Sequence, residues 1–362
     1  MQAKTKHSLK LVFGSLISNA SAIEGAKTLP WWIAAIMFVL GTFTPVIPIM
    51  VNTSKTTGSD FVSSNTYYYD QALVTCGVEL KTEGIYQFTV QDQQLLASKN
   101  GTQMTATWTN NEDLTPIYTY NKVVDGKATR LLNVYYTDRP YSGKVNSVKS
   151  MISTIEKTKY VNGTDEPYEA VKHPDVDTKK GVYNPSYLIL YKAGLYSGIY
   201  KEGTTTAASH SYAGLDWKHA DFTNLLERVT AVEGVEVNVN SKAYVDASFK
   251  NWKSVFNDSY KNQKVATFWM TSGLYFGIYI VLSLFMGLMM FLLTRGKANP
   301  NRGLNLWITT KISWYICLTP GILAMILGFV WSQAAGLGFI VLFGLRTMWL
   351  SMRQLSPTAS QQ

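Results

Sequence analysis

Residues 266–293 read ATFWMTSGLYFGIYIVLSLFMGLMMFLL, 28 positions in a row without a charge. A helix needs about 20 apolar residues to cross a hydrocarbon layer roughly 30 Å thick, so this stretch predicts one long or tilted span. Two further uncharged runs lie on either side of it, 21 residues at 31–51 and 34 residues at 312–345. The last is too long for one crossing. Ser332 and Gln333 sit near its middle, so it predicts a hairpin of 312–331 and 334–350 with a very short outer turn.

Charge orients these spans. No Asp or Glu follows Asp258, whereas Arg295, Lys297, Arg302, Lys311, Arg346 and Arg353 do follow it. Residues 1–30 carry a net +3, residues 52–265 are neutral with 23 basic and 23 acidic side chains, and residues 266–362 carry +6. Short segments rich in Lys and Arg stay on the cytoplasmic side of a membrane. The expectation is therefore a multi-pass cell-membrane protein with four transmembrane helices, one N-terminal and three C-terminal, and both termini cytoplasmic. Its parts are a cytoplasmic amphipathic segment (1–30), helix 1 (31–51), a large β-rich extracytoplasmic domain (52–265), helix 2 (266–293), a basic loop (294–311), a hairpin of helices 3 and 4 (312–350), and a cytoplasmic tail (351–362). The basic pI of about 9.2 is a topology signal and not a sign of nucleic-acid binding.

The lipid bilayer is thus the first partner. Trp31 and Trp32 open helix 1 with rings suited to the interface. Arg295, Lys297, Arg302 and Lys311 fall in the basic loop, and Arg346 lies where a long side chain reaches headgroups from within a span. Pro45 and Pro48 remove backbone donors and should kink or end helix 1 near the outer face. The apolar run follows some 30 residues and has no small-x-small site after it, so it reads as a signal anchor and not a cleaved leader. Before it, Leu9, Val12, Phe13, Leu16 and Ile17 share one helical face. That face either lies on the inner leaflet or packs against the spans.

Residues 52–265 alternate strand-like runs with turns. Ile85–Val90, Thr105–Trp108, Leu131–Tyr136 and Tyr187–Tyr191 are rich in β-branched and aromatic residues, separated by Asn100-Gly101, Asp125-Gly126 and Asn162-Gly163. A mostly antiparallel sheet is expected. Phe222, Leu225 and Leu226 then suggest a short helix, and Val245, Phe249, Trp252, Phe256 and Tyr260 a longer stalk that runs into helix 2. Nineteen of the 22 tyrosines lie here. Tyr187, Tyr191, Tyr196 and Tyr200 are the candidate ligand-binding surface, since a phenol ring offers a flat, half-polar face to a sugar or protein; they are equally good strand residues.

Other chemistry is sparse. The spans hold no Asp, Glu, His or Lys for a proton relay. There is no phosphate-cradling G-x-x-x-x-G-K-[ST] and no G-x-S-x-G. His173-Pro174-Asp175-Val176-Asp177 and Lys218-His219-Ala220-Asp221 group potential ligands, but the first reads as a solvated loop, so no metal or cofactor is expected. Cys76 and Cys317 fall on opposite sides of the polar and apolar division and should not pair. Gly273 and Gly277, and Ala324 and Gly328, have the small-x-x-x-small spacing of close helix contacts. The N-x-Ser/Thr sequons at Asn19, Asn52, Asn100, Asn162 and Asn257 are expected by chance in so Asn- and Ser-rich a chain.

The order of parts resembles an uncharacterised bacterial membrane-protein family labelled maltodextrin-utilisation proteins. Ser186–Lys192, Gly194-Leu195-Tyr196, Tyr212 and Asp221-Phe222 are similar to that family's late outer-domain strand and following helix. The chain differs in its longer outer region and fewer C-terminal spans. The resemblance implies a place beside carbohydrate uptake. The expected function is a non-enzymatic plasma-membrane protein with an outward-facing binding domain, accessory to a transporter; the alternative is an oligomeric transporter or channel subunit.

Overall fold

The computed structural model describes residues 2–63, 68–105, 114–124, 127–143, 146–161, 169–171, 182–200, 215–220, 222–297, 299–331 and 334–356. The helices are α1 Gln2–Ile17, α2 Asn19–Thr28, α3 Trp31–Phe43, α4 Ile47–Lys55, α5 Asp60–Ser63, α6 Tyr69–Glu83, α7 Val148–Lys157, α8 Leu225–Thr230, α9 Lys242–Leu293, α10 Leu306–Ile316, α11 Leu318–Val330 and α12 Ala335–Leu350. The strands are β1 Tyr86–Gln91, β2 Gln94–Lys99, β3 Thr102–Gln103, β4 Tyr118–Val124, β5 Lys127–Thr137, β6 Lys159–Val161, β7 Glu169–Val171, β8 Val182–Tyr183, β9 Ser186–Tyr191, β10 Gly194–Gly198 and β11 Leu215–Asp216. The chain is a mixture of helix and sheet and divides into two compact units, Met1–Lys55 with Ala266–Gln362, and Thr56–Val265.

The unit Thr56–Val265 is built on a five-stranded sheet of order β11-β10-β9-β5-β4. Hairpins make β4–β5 and β9–β10 antiparallel, but β5 and β9 run parallel, Leu132 facing Ser186 and Thr137 facing Tyr191. A parallel pair needs a crossover, and α7 supplies it. Strand β9 is therefore central and buried on both faces. Its even residues Leu188 and Leu190 enter a core with α6, α8 and the first part of α9. Its odd residues Tyr187, Ile189 and Tyr191 enter a second core beneath α7. The smaller sheets β1-β2-β3 and β7-β6-β8 are antiparallel.

Two helices of this unit escape a reading tuned to strands. In α6, Ala72, Leu73, Cys76 and Leu80 are buried at helical spacing, and Gly84 ends the helix at φ 70°, a left-handed cap that glycine adopts without a Cβ clash. In α7, Ser147 and Ser150 close a reciprocal capping box ahead of buried Val148, Met151 and Ile152. The turns Asp125-Gly126 and Asn162-Gly163 lie outside the described residues, as do residues 106–108 of the Thr105–Trp108 run. Helix α8 is fastened to α9 by Arg228, whose guanidinium is 2.5 Å from Asp258, with Lys261 at 2.8 Å. Tyr244 Oη and Ser248 Oγ donate to the carbonyls of Thr230 and Val229, adding two buried bonds to the same seam.

The other unit is helical. Among the described residues, three helices are long and apolar enough to cross a membrane: Trp31–Lys55, Lys242–Leu293 and Leu306–Val330. Helix α12, at 16 residues, rises only about 24 Å before a π-helical turn at Ser351–Leu355. Its predicted outer turn, Ser332 and Gln333, lies outside the described residues. At Pro45 and Pro48 the α-helix gives way to a short 3-10 turn and then resumes, so the helix is interrupted there and does not stop. Pro45 sits in a 3-10 turn at Thr44–Val46, where the Ile47 N–H bonds the Thr44 carbonyl, and Pro48 in the first turn of α4, so the missing donors interrupt the α-helical ladder while the chain stays helical to Lys55. The stalk residues and the second apolar run form one unbroken helix, α9.

Glycines decide how closely these helices approach. A Cβ on Gly321 would lie 2.4 Å from the Gly41 carbonyl oxygen, the acceptor that Pro45 leaves without its helical donor. A Cβ on Gly287 would lie 2.8 Å from the Thr310 backbone. Ala324 and Gly328 are buried, with Ala324 in contact range of Gly338. At Gly273 and Gly277 a Cβ would meet nothing within 4 Å.

Candidate functional site

The candidate tyrosines are core residues. Tyr187, Tyr191, Tyr196 and Tyr200 are between 0% and 5% exposed and pack with Tyr135, Ile189, Val148, Met151 and Ile152. Tyr187 stacks on Tyr196 at 6.0 Å and 12°, and its hydroxyl donates to Glu156 Oε1 at 2.9 Å. Burial, with neighbouring Tyr196 and Glu156, pushes the Tyr187 phenol well above its ordinary range. Trp217 Nε1 donates to the Tyr191 carbonyl at 2.9 Å, and Tyr69 Oη and Ser197 Oγ are 2.6 Å apart in the interior. The spacing put these rings on a two-sided strand with cover on both faces, so their π-surfaces are spent on one another and on α7. All four rings are covered in this structure.

The interface residues separate into two groups. Trp31 and Trp32, 61% and 53% exposed, stand at the start of α3. Lys297 and Arg302 are exposed between α9 and α10. Arg295 is exposed as well, its guanidinium over the Phe291 ring and hydrogen-bonded to the Leu304 carbonyl. Lys311 and Arg346 are different. Asn305 caps α10, its Oδ1 accepting from Ile308 N at 2.8 Å, so the helix begins before the position expected and carries Lys311 inside it, 8% exposed.

Arg346 does not reach outward to headgroups. Pro320 lacks the N–H that would bond the Ile316 carbonyl four residues earlier, and Arg346 Nη1 supplies that bond at 3.0 Å. Its Nη2 donates to the Ser15 carbonyl in the last turn of α1, and Nε reaches Asn19 Oδ1 at 3.5 Å. Thr319 Oγ1 donates to the next carbonyl, Leu16, at 2.5 Å. A helix end leaves carbonyls without partners, and an apolar interior makes each one costly. One guanidinium thus ties α1, α2, the α10–α11 break and α12 together. The signal was present in sequence: an Arg in a span together with a proline in the neighbouring one.

That tie also shows which face of α1 is buried. Leu11 and Ser15 turn inward and Val12 and Leu16 pack beside them, whereas Leu9, Phe13 and Ile17 are exposed. The five-residue apolar face is therefore shared between packing and exposure.

Among the described residues, no three His, Cys, Asp or Glu side chains lie close enough to hold a metal ion. His173 to Asp177 and Asp221 lie outside them. Cys76 and Cys317 are free and buried. Comparison with protein-family models, with curated proteins and with solved structures finds no match.

Proposed function

We propose that this chain is a four-span plasma-membrane protein that holds a folded domain, residues 56–265, on the outer face as an interaction module. The observation that carries this reading is helix α9. Tyr244, Val245, Phe249, Trp252 and Phe256 belong to the core of one unit, and without a break the same helix goes on to present Trp269, Met270, Leu274 and Val281 uncovered. Uncovered apolar side chains in such a row suit lipid contact. A stiff helical connection suits a domain that passes binding to the spans. The resemblance to maltodextrin-utilisation proteins adds a class of partner, the extracytoplasmic part of a carbohydrate transporter, with no chemistry performed by this chain itself. In-cell cross-linking from exposed Val123 and Val237, followed by isolation in mild detergent, should recover a transporter or envelope component. Recovery of this chain alone from both positions would count against the reading.

A second reading, an oligomeric transporter or channel subunit, is favoured by the open face at Gly273 and Gly277. Light scattering in nanodiscs separates the two: a strict monomer leaves the first reading standing and removes the second.

A further inference from the structure

A cavity of about 490 Å³ opens at one end of the helical unit, between α2, the 3-10 turn Pro300–Gly303 and the π turn after α12. We propose that it binds a phosphate-bearing headgroup that also carries a hydrogen-bond donor. Lys27 and Arg353 line it, both exposed and neither in an ion pair among the described residues. Arg353 is held in place by its cation–π contact with Trp349, 4.3 Å from the ring centre. A guanidinium and an ammonium flanking one cavity match a phosphate: one fork-shaped donor and one point charge.

The floor is built. Buried Asn299 donates from Nδ2 to the carbonyls of Leu355 at 2.7 Å and Leu293 at 3.3 Å, and its Oδ1 accepts from Asn301 N at 2.9 Å. Asn301 Nδ2 in turn donates to the Gln354 carbonyl at 3.0 Å. Two asparagines therefore lock the loop after α9 against the π turn after α12. Such turns are rare and recur at functional sites. Among the lining groups, Gln354 Oε1 is buried and has no hydrogen-bond partner. A buried acceptor without a donor is unfavourable, and an ammonium or hydroxyl on the ligand satisfies it.

The phosphate could come from a membrane lipid or from a soluble phosphorylated compound, and the chemistry is common to both. The test uses the full-length protein in detergent, its thermal unfolding followed against short-chain phosphatidylethanolamine, short-chain phosphatidylcholine, glycerol phosphate and inorganic phosphate. Saturable stabilisation by phosphatidylethanolamine or glycerol phosphate is expected, with phosphatidylcholine at least about tenfold weaker because its quaternary nitrogen cannot donate to Gln354. Response to the lipid alone assigns a lipid source, and response to glycerol phosphate a soluble one. The double variant Lys27→Gln, Arg353→Gln should lose at least about tenfold in affinity with its unliganded melting temperature unchanged, whereas Lys297→Gln, outside the cavity, should bind as the parent does. No saturable response to any probe overturns the proposal. So does equal weakening by Lys297→Gln, which would mark a diffuse charge effect.

Discussion

The two units bury polar groups by opposite means. In residues 56–265 aromatic side chains fill the interior and keep their polar tips supplied, as in Tyr187 to Glu156, Tyr244 to the Thr230 carbonyl and Trp217 to the Tyr191 carbonyl. Exposed large apolar side chains among its described residues are confined to Tyr68, Val123, Val237 and Val265. The helical unit exposes apolar side chains along α3, α9, α11 and α12, and inside it close helix contacts at glycines stand beside buried rings such as Tyr279, Tyr315, Phe339 and Phe343. Its polar interior includes, beside Tyr279 on the Gly336 carbonyl and the Ser283–Ser313 pair, backbone carbonyls released by prolines and helix ends and met by Arg346 and Thr319. Where no water reaches, each released backbone group needs a partner inside the protein.

The sharpest way to break this comparison is at the glycines. Gly321→Val should cost about 3 kcal/mol or more, because its side chain must displace the Gly41 backbone. The expected readout is loss of monodisperse protein in detergent. Gly273→Val and Gly277→Val, with open space around them, should change melting by less than about 0.5 kcal/mol. In the other unit Gly198→Ala should cost about 2 kcal/mol, since the new Cβ meets the Tyr187 ring, which α7 prevents from moving aside. Proteolysis within residues 56–265 would register it, with the helical unit unaffected.

Arg346→Met should cost about 2 kcal/mol by leaving the Ser15 and Ile316 carbonyls unpaired. Hydrogen exchange should rise at the C-terminal end of α1 first, and Arg346→Lys, able to serve only part of the set, should fall between the two. A smaller loss belongs to Asp258. Burial favours its neutral form, but the hydrogen bonds and charges of Lys261 and Arg228 outweigh that and lower its pKa below the ordinary aspartate value. Its stabilisation is therefore complete above about pH 4 and is lost as pH falls through the lowered folded value. Asp258→Asn should cost about 1 kcal/mol at pH 7 and flatten the acid limb of the stability curve.

What the sequence made legible follows from range. The strands around Phe88, Val134 and Leu188 and the long helix from Val245 onward declare themselves through local period and β-branched or aromatic content. Helices α6 and α7 did not, since α6 has a continuous buried core of small and medium residues and α7 a polar start whose capping box is visible only as two serines. The tyrosines misled for a related reason: alternation tells which residues share a face, and not whether a helix covers that face. The contacts of Arg346 were not legible because one carbonyl it meets, Ile316, is set free by a proline 26 positions away and the other, Ser15, belongs to the distant end of α1.

The account rests most on the orientation implied by charge, and cysteine labelling tests it directly. Native Cys76 and Cys317 are buried, so single cysteines at exposed Val237 and Lys297 can be read against a quiet background in intact cells. A membrane-impermeant thiol reagent should modify the cysteine at 237 from outside and reach that at 297 only after the membrane is opened. Labelling at 297 in intact cells, with 237 protected, would contradict the orientation and with it the proposed outer role of residues 56–265.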